Sequence, residues 1–413
     1  MNWPQWRGPS GTGYSAQASP PTRWNDSENV RWKTPIPGRG HSTPVVHEDL
    51  LFLTTAIPAG EPLPPKMSGR PGEHDNLPVD HKHQFVVLAI DRANGTIRWQ
   101  RVVHEAVPIE GGHKSASLAS ASPIVDEGRV YAFFGSHGLY CLDFEGTLIW
   151  ERQFGQMHSK HGHGEGASPV LHGQAIVVNW DHEEQSFVTA LNKTTGETIW
   201  RNERPEVTSW SSPIIVEHGN RPQVIVAGTE RVRSYDLETG DEVWQCGGMS
   251  ANIVATPVFS NGVLVVGSSY EIRNMLAIKL DGAQGDITGS DNVLWTRTRG
   301  TPYVPSLLLV NDGVYFLAHY QNILTRVDLT TGEESPGAMR LGELTSIYAS
   351  PVAAGEFVYI TDLEGTTMVI TTGPTPRVVA VNRLNEHVNA SAAIADNSLF
   401  IRGEKHLFCI TET

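Results

Sequence analysis

The sequence predicts an all-β fold, an eight-bladed β-propeller, and three observations support this prediction. The chain of 413 residues contains 40 Gly and 26 Pro, a share that helices tolerate poorly and that strands with tight turns accommodate. A hairpin motif that ends in Trp recurs along the chain, and a Pro-containing motif recurs between its copies. The spacing of the second motif, roughly 40–45 residues, is that of a four-stranded propeller blade.

The hairpin motif has the pattern Ala-x-Asp-x-x-x-Gly-x-x-x-Trp, as in Ala89–Trp99, Ala190–Trp200 and, with Ser first, Ser234–Trp244. Two apolar strands flank a turn in which Asp or Asn can bond its own backbone and Gly supplies a positive φ. The Trp ring can bury a large area between two sheets, and its N–H can donate to a carbonyl there. We therefore expect these Trp residues to be structural: Trp32, Trp99, Trp150, Trp200, Trp244 and Trp295.

The second motif is a small or hydroxyl residue followed by Pro and aliphatic residues, as in Ser42-Thr-Pro44-Val. Eight copies, two of them degenerate, are spaced 79, 46, 44, 44, 51, 43 and 41 residues apart. Pro at the start of a strand needs no N–H for the ladder, and small residues there allow the innermost strands to crowd around an axis. The long first spacing contains a Pro- and Gly-rich insertion at about residues 57–83, which we interpret as a loop of blade 1.

The two ends of the chain are predicted to complete one blade. Residues 25–38 carry a Trp-bearing strand and residues 385–413 carry three further strands, so together they form blade 8 and close the ring without an open edge. Residues 1–413 are then one propeller domain. We expect the opening Trp3–Pro9 segment to pack across the outside of blade 8.

Composition narrows the function classes. The formal net charge of −14, without a basic run, disfavours nucleic acid as a partner. The longest uncharged run, Val243–Tyr270, is broken by Gly and Pro, so no membrane span is expected. Three distant cysteines, Cys141, Cys246 and Cys409, fit neither a disulfide framework nor a paired-cysteine metal site. The start at Met1 lacks a leader pattern, so the protein is periplasmic or secreted if a leader has been removed and cytoplasmic otherwise.

The Trp hairpin resembles the tryptophan-docking motif of quinoprotein alcohol dehydrogenase-like propellers, and the resemblance covers residues 23–413. This superfamily includes dehydrogenases that use pyrroloquinoline quinone (PQQ) and the BamB-type scaffold of outer-membrane protein assembly. The opening Trp3–Pro9 segment also resembles that of secreted propellers from environmental bacteria. The resemblance implies, for the dehydrogenases, a vicinal cysteine pair and a carboxylate metal site beside the quinone.

This sequence has no adjacent cysteines and no carboxylate set that can be aligned with that site. We therefore carry over no catalytic residue and expect no PQQ. The leading expectation is a monomeric binding or scaffolding propeller, possibly extracytoplasmic in its setting, with a protein partner or a small polar ligand. The alternative is an oxidoreductase or metal-dependent enzyme that acts on a carbohydrate or another small polar substrate. No P-loop, Gly-x-Ser-x-Gly or His-Glu-x-x-His motif is present.

Histidines are concentrated in the first half of the chain, with thirteen of the 17 before residue 183. Loops on one face of a propeller surround the mouth of its channel, where ligands bind. The blade assignment places eleven histidines on that face, in the loops of blades 8, 1, 2 and 3: His41, His74, His81, His83, His104, His113, His137, His158, His161, His163 and His182.

A metal site is one interpretation of this face. In His161-Gly-His163-Gly-Glu165, alternate residues of an extended strand would point the same way. Imidazole and carboxylate ligands suit Zn²⁺ or another divalent transition metal, and Asp181 and His182 of the same blade could complete the set. Two other interpretations stay open: a site for a polar ligand, and a Gly-rich loop whose histidines bond carbonyls.

A ligand pocket is predicted from the residues that precede the Pro motif near the axis. Aromatic planes beside polar donors are the usual lining of a sugar or cofactor pocket. The alternative is that these side chains simply plug the mouth of the ring. The candidates are Arg39, His41, His113, Trp210, Tyr303, Tyr348 and Asn389.

Overall fold

The computed structural model describes residues 2–25, 27–219 and 221–412. Asp26 and Thr413, which fall within the segments predicted for blade 8, lie outside the described residues. Eight antiparallel sheets form an eight-bladed β-propeller, which confirms the predicted fold class. The described residues include two short 3-10 turns, Gly135–His137 and Lys160–Gly162, and no α-helix. No helix in this part of the chain is long and apolar enough to cross a membrane.

The first blades follow two early strands. These strands are β1 (Tyr14–Ser15) and β2 (Val30–Pro35). Blade 1 comprises β3 (Val45–His47), β4 (Leu50–Ala59), β5 (Lys82–Asp91) and β6 (Ile97–Ala106). Blade 2 comprises β7 (Ile124–Asp126), β8 (Arg129–Phe133), β9 (Leu139–Asp143) and β10 (Leu148–Arg152). Blade 3 comprises β11 (Val170–His172), β12 (Ala175–Trp180), β13 (Ser186–Asn192) and β14 (Thr198–Arg204).

Blades 4 and 5 contain one strand outside the four-stranded plan. Blade 4 comprises β15 (Ile214–His218), β16 (Arg221–Ala227), β17 (Arg231–Asp236) and β18 (Glu242–Gly247). Blade 5 comprises β19 (Val258–Ser260), β20 (Val263–Ser268), β21 (Asn274–Lys279) and β23 (Val293–Arg297). Between β21 and β23, the short strand β22 (Gly285–Asp286) pairs in parallel with β18 of blade 4.

The remaining blades use both early strands. Blade 6 comprises β24 (Leu308–Val310), β25 (Gly313–Leu317), β26 (Ile323–Asp328) and β27 (Met339–Arg340). Blade 7 comprises β28 (Val352–Ala354), β29 (Phe357–Thr361), β30 (Thr366–Thr371) and β31 (Val378–Arg383). Blade 8 comprises β32 (Ala393–Ala395), β33 (Ser398–Arg402) and β34 (His406–Ile410). The early strand β2 pairs antiparallel with β34 and closes the ring, and β1 pairs in parallel with β28.

Five of the six hairpin Trp residues clasp the next blade. Trp32, Trp99, Trp150, Trp200 and Trp295 each donate Nε1–H to a carbonyl in the next blade's hairpin turn, at 2.7–3.1 Å. Each ring also lies against the glycine of that turn, where an added Cβ would come within 3.0 Å of the ring. These glycines have φ between 70° and 85°. Glycine is therefore required both by the backbone conformation and by the neighbouring Trp.

Trp244 is the exception among the six. Its Nε1–H donates to Oε1 of Gln223 within its own blade, at 3.0 Å, and its side chain is fully buried. The hairpin turn of blade 5 is expanded between β21 and β23, and Gly285 of that expansion pairs with Trp244 through the backbone. The expansion therefore replaces the usual clasp with a parallel strand contact.

A ring of hydroxyl groups surrounds the axis, formed by the small residues before the Pro motif. In six of the junctions between adjacent blades, the backbone N–H of one such residue donates to the hydroxyl of the next, at 2.8–2.9 Å. The motif predicts only that small residues let the innermost strands crowd around the axis. Their hydroxyls also satisfy backbone donors at strand starts, where the ladder offers no partner. The ring consists of Thr43, Ser122, Ser168, Ser212, Thr256, Ser306, Ser350 and Ser391.

The expected position of Trp3–Pro9 outside blade 8 is wrong. Trp3 pairs with Val46 of blade 1, the indole of Trp6 donates to Thr256 Oγ1 at 3.1 Å, and Arg7 donates to the Leu307 carbonyl at 2.8 Å. The segment therefore crosses one end of the channel. The reason is that β1 pairs with blade 7, so the residues before β1 are directed across the axis rather than along blade 8.

The clasp predicts a stability effect at Trp200, whose side chain is 8% exposed. Trp200→Ala should lower the free energy of unfolding by about 3–5 kcal/mol, because it removes a buried indole and leaves a cavity against Gly240. Urea denaturation followed by circular dichroism measures this change. Ile199→Ala on the same strand is the matched control, since Ile199 is 46% exposed and should cost about 0.5 kcal/mol or less. Equal stability of the two variants would contradict the clasp.

Candidate functional site

A cavity of about 400 Å³ opens at the channel end opposite Trp6. Its walls are the loops that lead into the first strands, so every blade contributes a residue near the axis. Its floor is formed by the ring of Trp6 and by six members of the hydroxyl ring: Ser168, Ser212, Thr256, Ser306, Ser350 and Ser391. In blade order, starting from the loop that enters blade 1, these wall residues are His41, His113, His163, Trp210, Asn252, Tyr303, Tyr348 and Asn389.

Six of the seven predicted ligand-binding residues line this cavity: His41, His113, Trp210, Tyr303, Tyr348 and Asn389. Arg39 does not. Its backbone pairs with Ala56, and its guanidinium donates to the Lys114 carbonyl at 2.5 Å. The pairing of Arg39 with β4 turns its side chain along the outer loop instead of toward the axis.

The lining residues that sequence reasoning missed include Asn252, Tyr270 and Tyr320. Asn252 lies in the loop between blades 4 and 5, five residues before Pro257. The candidates His41, Trp210 and Tyr348 each lie three residues before the Pro of their motif, so the spacing of the motif does not identify Asn252. Tyr270 and Tyr320 lie between the second and third strands of blades 5 and 6. Loops of the same kind carry His74 and His137, so their position is the signal that could have identified these two tyrosines.

Three buried polar atoms of the lining have no hydrogen-bond partner among the described residues: Nε2 of His41, Oδ1 of Asn252 and Oδ1 of Asn389. A buried polar atom without a partner costs about 1–3 kcal/mol. These three belong to loops of different blades around the same space. Such atoms are therefore available to bind a polar molecule in the cavity.

Tyrosines form the wall contributed by blades 5 and 6. Tyr303 stacks between Tyr270 and His319, with ring centroids 5.9 and 4.4 Å away, and meets the edge of Tyr320 at 5.2 Å. Burial raises the pKa of Tyr303 and of Tyr320. Both phenols therefore remain neutral donors at physiological pH, and their planes provide an apolar surface.

The cavity carries almost no fixed charge. The described lining residues contain no Lys, Arg or Asp, and their only acid is Glu165. Burial raises the pKa of Glu165 to about 7, although Ser136 donates to its carboxylate from both N–H and Oγ. Burial, with the cations of Arg39 and Arg402, lowers the pKa of His41 to about 3. His41 is therefore neutral at pH 7.

Four histidines lie together on the opposite wall from the tyrosines: His74, His113, His161 and His163. The ring centroid of His163 lies 4.7, 5.0 and 5.3 Å from those of His74, His113 and His161. Burial, together with His113, His74 and His161, lowers the pKa of His163 to about 4. His74 belongs to the insertion between β4 and β5, which the sequence analysis treated only as a loop of blade 1.

The predicted metal set is brought together only in part. His161 and His163 are neighbours, but Glu165 bonds Ser136, and Asp181 forms a buried ion pair with Arg204 at 2.9 Å. His182 Nε2 contacts the Gln185 carbonyl. Among the described residues, no three His, Cys, Asp or Glu side chains are already arranged to hold a metal ion.

The expectation of an extended strand over His161–Glu165 is wrong. Lys160–Gly162 forms a 3-10 turn, and His161 has φ 59° and ψ 9°. The left-handed residue interrupts the two-residue alternation of side chains, so Glu165 does not share a face with the two histidines. Two other histidines assigned to loops lie in strands: His83 in β5 and His104 in β6.

The lining does not fit the quinone cofactor that the family resemblance implies. PQQ is a tricarboxylate, and buried carboxylates require Arg, Lys or several hydrogen-bond donors for compensation. The described residues that line the cavity include no Arg or Lys. All three cysteines are buried and free, in three different blades.

Comparison with known proteins identifies the family. The model of the family described as outer membrane protein assembly factor BamB matches residues 22–153, 82–335 and 184–413. Outer membrane protein assembly factor BamB of Yersinia pestis is 23% identical over 223 residues, which cover 52% of this chain and 50% of that protein. The matched stretch thus spans half the length of that relative.

Two solved structures share the fold. BamB from Moraxella catarrhalis superposes with a TM-score of 0.58 at 13% identity, covering 87% of this chain and 97% of that chain. A europium-containing methanol dehydrogenase superposes with a TM-score of 0.64 at 10% identity, covering 98% and 90%. These likenesses show the shared fold, and the family-model match to residues 22–153, 82–335 and 184–413 confirms the PQQ-repeat propeller resemblance.

The depressed pKa of His41 predicts acid sensitivity. Below about pH 6.5 the unfolded chain protonates His41 and the folded protein does not until about pH 3, so stability should fall as pH falls through this window. The contribution of His41 is about 1.4 kcal/mol per pH unit. Glu165 has the opposite effect: because its pKa is raised in the folded state, its contribution to stability increases as pH falls from about 7 to about 4.5.

A substitution at His41 separates its contribution to the pH dependence of stability from that of Glu165. His41→Gln should flatten the loss of unfolding free energy between pH 6.5 and 4.5 relative to the wild type, as measured by urea denaturation at three pH values. His387→Gln, at an exposed histidine, serves as the control for replacing a histidine with glutamine. An unchanged slope in His41→Gln would show that His41 does not titrate as described.

Proposed function

The chain belongs to the family described as outer membrane protein assembly factor BamB, and on that premise we propose that it acts as a binding propeller rather than an enzyme. The ligand we propose for its axial cavity is a small, neutral, polar molecule such as a carbohydrate. A protein partner and an extracytoplasmic location are proposed from the name of the family and of its relatives.

The ligand proposal rests on two features of one cavity that carries almost no fixed charge. The first is a set of buried polar atoms without a hydrogen-bond partner, and the second is the aromatic rings that lie around the same space. Sugars present hydroxyls at their edges and C–H groups on their faces. The unpartnered atoms of His41, Asn252 and Asn389 can hydrogen-bond the hydroxyls of a sugar. The phenol rings of Tyr303 and Tyr348 can pack against its C–H faces. A volume of about 400 Å³ is within the range of small-ligand pockets, about 300–1,000 Å³.

The electrostatics of the cavity support a neutral ligand over an anionic one. A phosphate or carboxylate brought into the cavity would lose its hydration and meet no Lys or Arg among the described lining residues. The hydroxyl ring offers groups that both donate and accept. This combination favours hydroxyl-rich ligands and disfavours nucleotides, sugar phosphates and organic acids.

The cysteines are compatible with an extracytoplasmic setting. Cys141, Cys246 and Cys409 are buried, and burial raises the pKa of their thiols to about 12, 11 and 11. The thiolate is the reactive form, so these thiols are protected from oxidation and from disulfide exchange. The fold is therefore compatible with an oxidising compartment without needing a disulfide.

Calorimetric titration with a panel of neutral mono- and oligosaccharides, alongside their phosphorylated and carboxylated forms, tests the ligand proposal. We expect at least one neutral sugar to bind and its charged forms to bind more weakly. Tyr348→Ala and Asn389→Ala should each weaken binding at least tenfold, which corresponds to about 1.4 kcal/mol. Each removes one contact surface without touching the Trp clasp.

The matched control is Val378→Ala, because Val378 is 48% exposed on β31, the outermost strand of blade 7. Its affinity for the sugar should equal that of the wild type. Thermal melting of all variants separates a loss of binding from a loss of folding. Wild-type affinity in both cavity variants, or no binding across the panel, would refute the ligand proposal.

A further inference from the structure

We propose that His74, His161 and His163, with His113 as a fourth ligand, form a binding site for a divalent transition-metal ion at the wall of the axial cavity. The proposal goes beyond the ligand proposed above and does not depend on it. The four imidazoles come from three separate segments: the insertion of blade 1, the loop between blades 1 and 2, and the loop between blades 2 and 3.

The hydrogen bonds of the rings assign the tautomers. Nδ1 of His74 lies 2.8 Å from the Gly72 carbonyl, and Nδ1 of His161 lies 2.8 Å from the Pro71 carbonyl. A carbonyl oxygen only accepts, so both Nδ1 atoms carry the proton. The Nε2 atoms of both rings consequently hold a lone pair. Metal-binding histidines typically have this arrangement, donating their other N–H to a carbonyl or carboxylate.

Asn76 gives His163 the same tautomer and ties the segments together. Its Nδ2 donates to the His161 and Gly162 carbonyls at 2.8 and 2.9 Å, which leaves Oδ1 to accept from His163 Nδ1 at 3.0 Å. The backbone of Asn76 pairs with that of His113. Asn76 therefore fixes the insertion against the loop that carries His113 and against the loop that carries His161 and His163, and it also orients the imidazole of His163.

The ring separations match those of imidazoles around one ion. Rings bound through nitrogen at about 2.0–2.1 Å in tetrahedral geometry have centroids about 5 Å apart. In the set His74, His161 and His163, the three separations are 4.7, 5.3 and 5.8 Å. His113 lies 5.0 Å from His163 and 6.2 Å from His74. Its Nδ1 accepts the backbone N–H of Ser115 at 3.2 Å and lies 2.7 Å from Ser115 Oγ, so the proton is on Nε2, unlike in the other three rings. His113 must therefore exchange its tautomer to act as the fourth ligand through Nε2.

The four histidine rings lie near one another, but their Nε2 atoms do not yet point at a common position for a metal ion. No group of three donors in the described part of the chain already forms a metal-binding set. Small rotations of the rings must therefore bring the Nε2 atoms together. His74 is exposed and lies on the insertion, so its ring can turn toward His163 with little steric resistance.

The neighbouring acids do not explain the cluster. The carboxylate of Glu73 accepts from the backbone N–H groups of Ser68 and Gly69 and from Asn76, and Asp75 pairs with Lys114 at 3.0 Å. Neutral imidazoles without thiolate or carboxylate ligands suit Zn²⁺, Cu²⁺ or Ni²⁺ rather than Ca²⁺ or Mg²⁺.

Metal titration of the full chain tests the proposal. After treatment with chelator and dialysis, Zn²⁺ should bind at one equivalent per chain at pH 7.5 by calorimetry. Co²⁺ should produce the visible absorption bands of a nitrogen-coordinated tetrahedral site. His74→Ala and His163→Gln should each weaken Zn²⁺ binding at least tenfold and abolish the Co²⁺ bands.

Two further variants separate coordination from folding. His172→Ala is the matched control, since its half-exposed ring pairs with Glu217 far from the cluster, and it should bind Zn²⁺ like the wild type. Asn76→Ala should weaken binding about 10–100-fold, the usual effect of losing a residue that orients a ligand histidine. Circular dichroism and thermal melting confirm that each variant is folded.

Two outcomes overturn the proposal: no stoichiometric Zn²⁺ binding by the wild type, or unchanged binding in folded His74→Ala and His163→Gln variants. Neither outcome bears on the sugar titration, which is performed in the presence of chelator. Failure of the metal site and failure of the ligand proposal are therefore distinguishable.

Discussion

The clasp between a Trp and the glycine turn of the next blade is the contact on which this propeller depends. A four-stranded sheet cannot bury both of its faces alone, so each blade must cover its neighbour. The Trp buries its ring on that seam and bonds a carbonyl that the hairpin leaves without a partner, as Trp99 does with Phe144. Because each clasp joins one blade to the next, strand β2 must complete blade 8 before every blade has two neighbours.

The fold was predictable because its determinants are local and repeated. Asp, Gly and Trp of one hairpin occur within eleven residues, and the same spacing returns in other blades. The exception at Trp244 also has a local cause. The expanded turn of blade 5 removes the carbonyl partner of Trp244, and Gln223 of blade 4, the blade of Trp244 itself, accepts its N–H instead. The N-terminal segment has no repeat to guide it, and its path across the channel follows from the pairing of β1 with blade 7, which spacing does not encode.

The site was predictable only where it follows the repeat. His41, Tyr348 and Asn389 occupy equivalent positions before the first strands of their blades, and they meet at the axis as expected. His74 and Asn76 belong to an insertion without an equivalent in other blades, so their contact with His161 and His163 depends on tertiary packing. The left-handed conformation of His161 likewise arises from the turn that packs on this insertion, where His161 Nδ1 contacts the Pro71 carbonyl.

The cavity combines a symmetric floor with two unlike walls. The hydroxyl ring repeats around the axis, and six of its eight members line the cavity. Histidines line the side of blades 1 to 3, and tyrosines line the side of blades 5 and 6. The described lining residues include no Lys or Arg, so a divalent ion among the histidines would be the strongest charge in the cavity. An ion there would attract ligand oxygens toward one wall and place the apolar face of a sugar on the other. The presence or absence of the ion would then set the orientation of the ligand. It would also decide whether the cavity can accept a negatively charged ligand, because the ion supplies the positive charge that the lining residues lack.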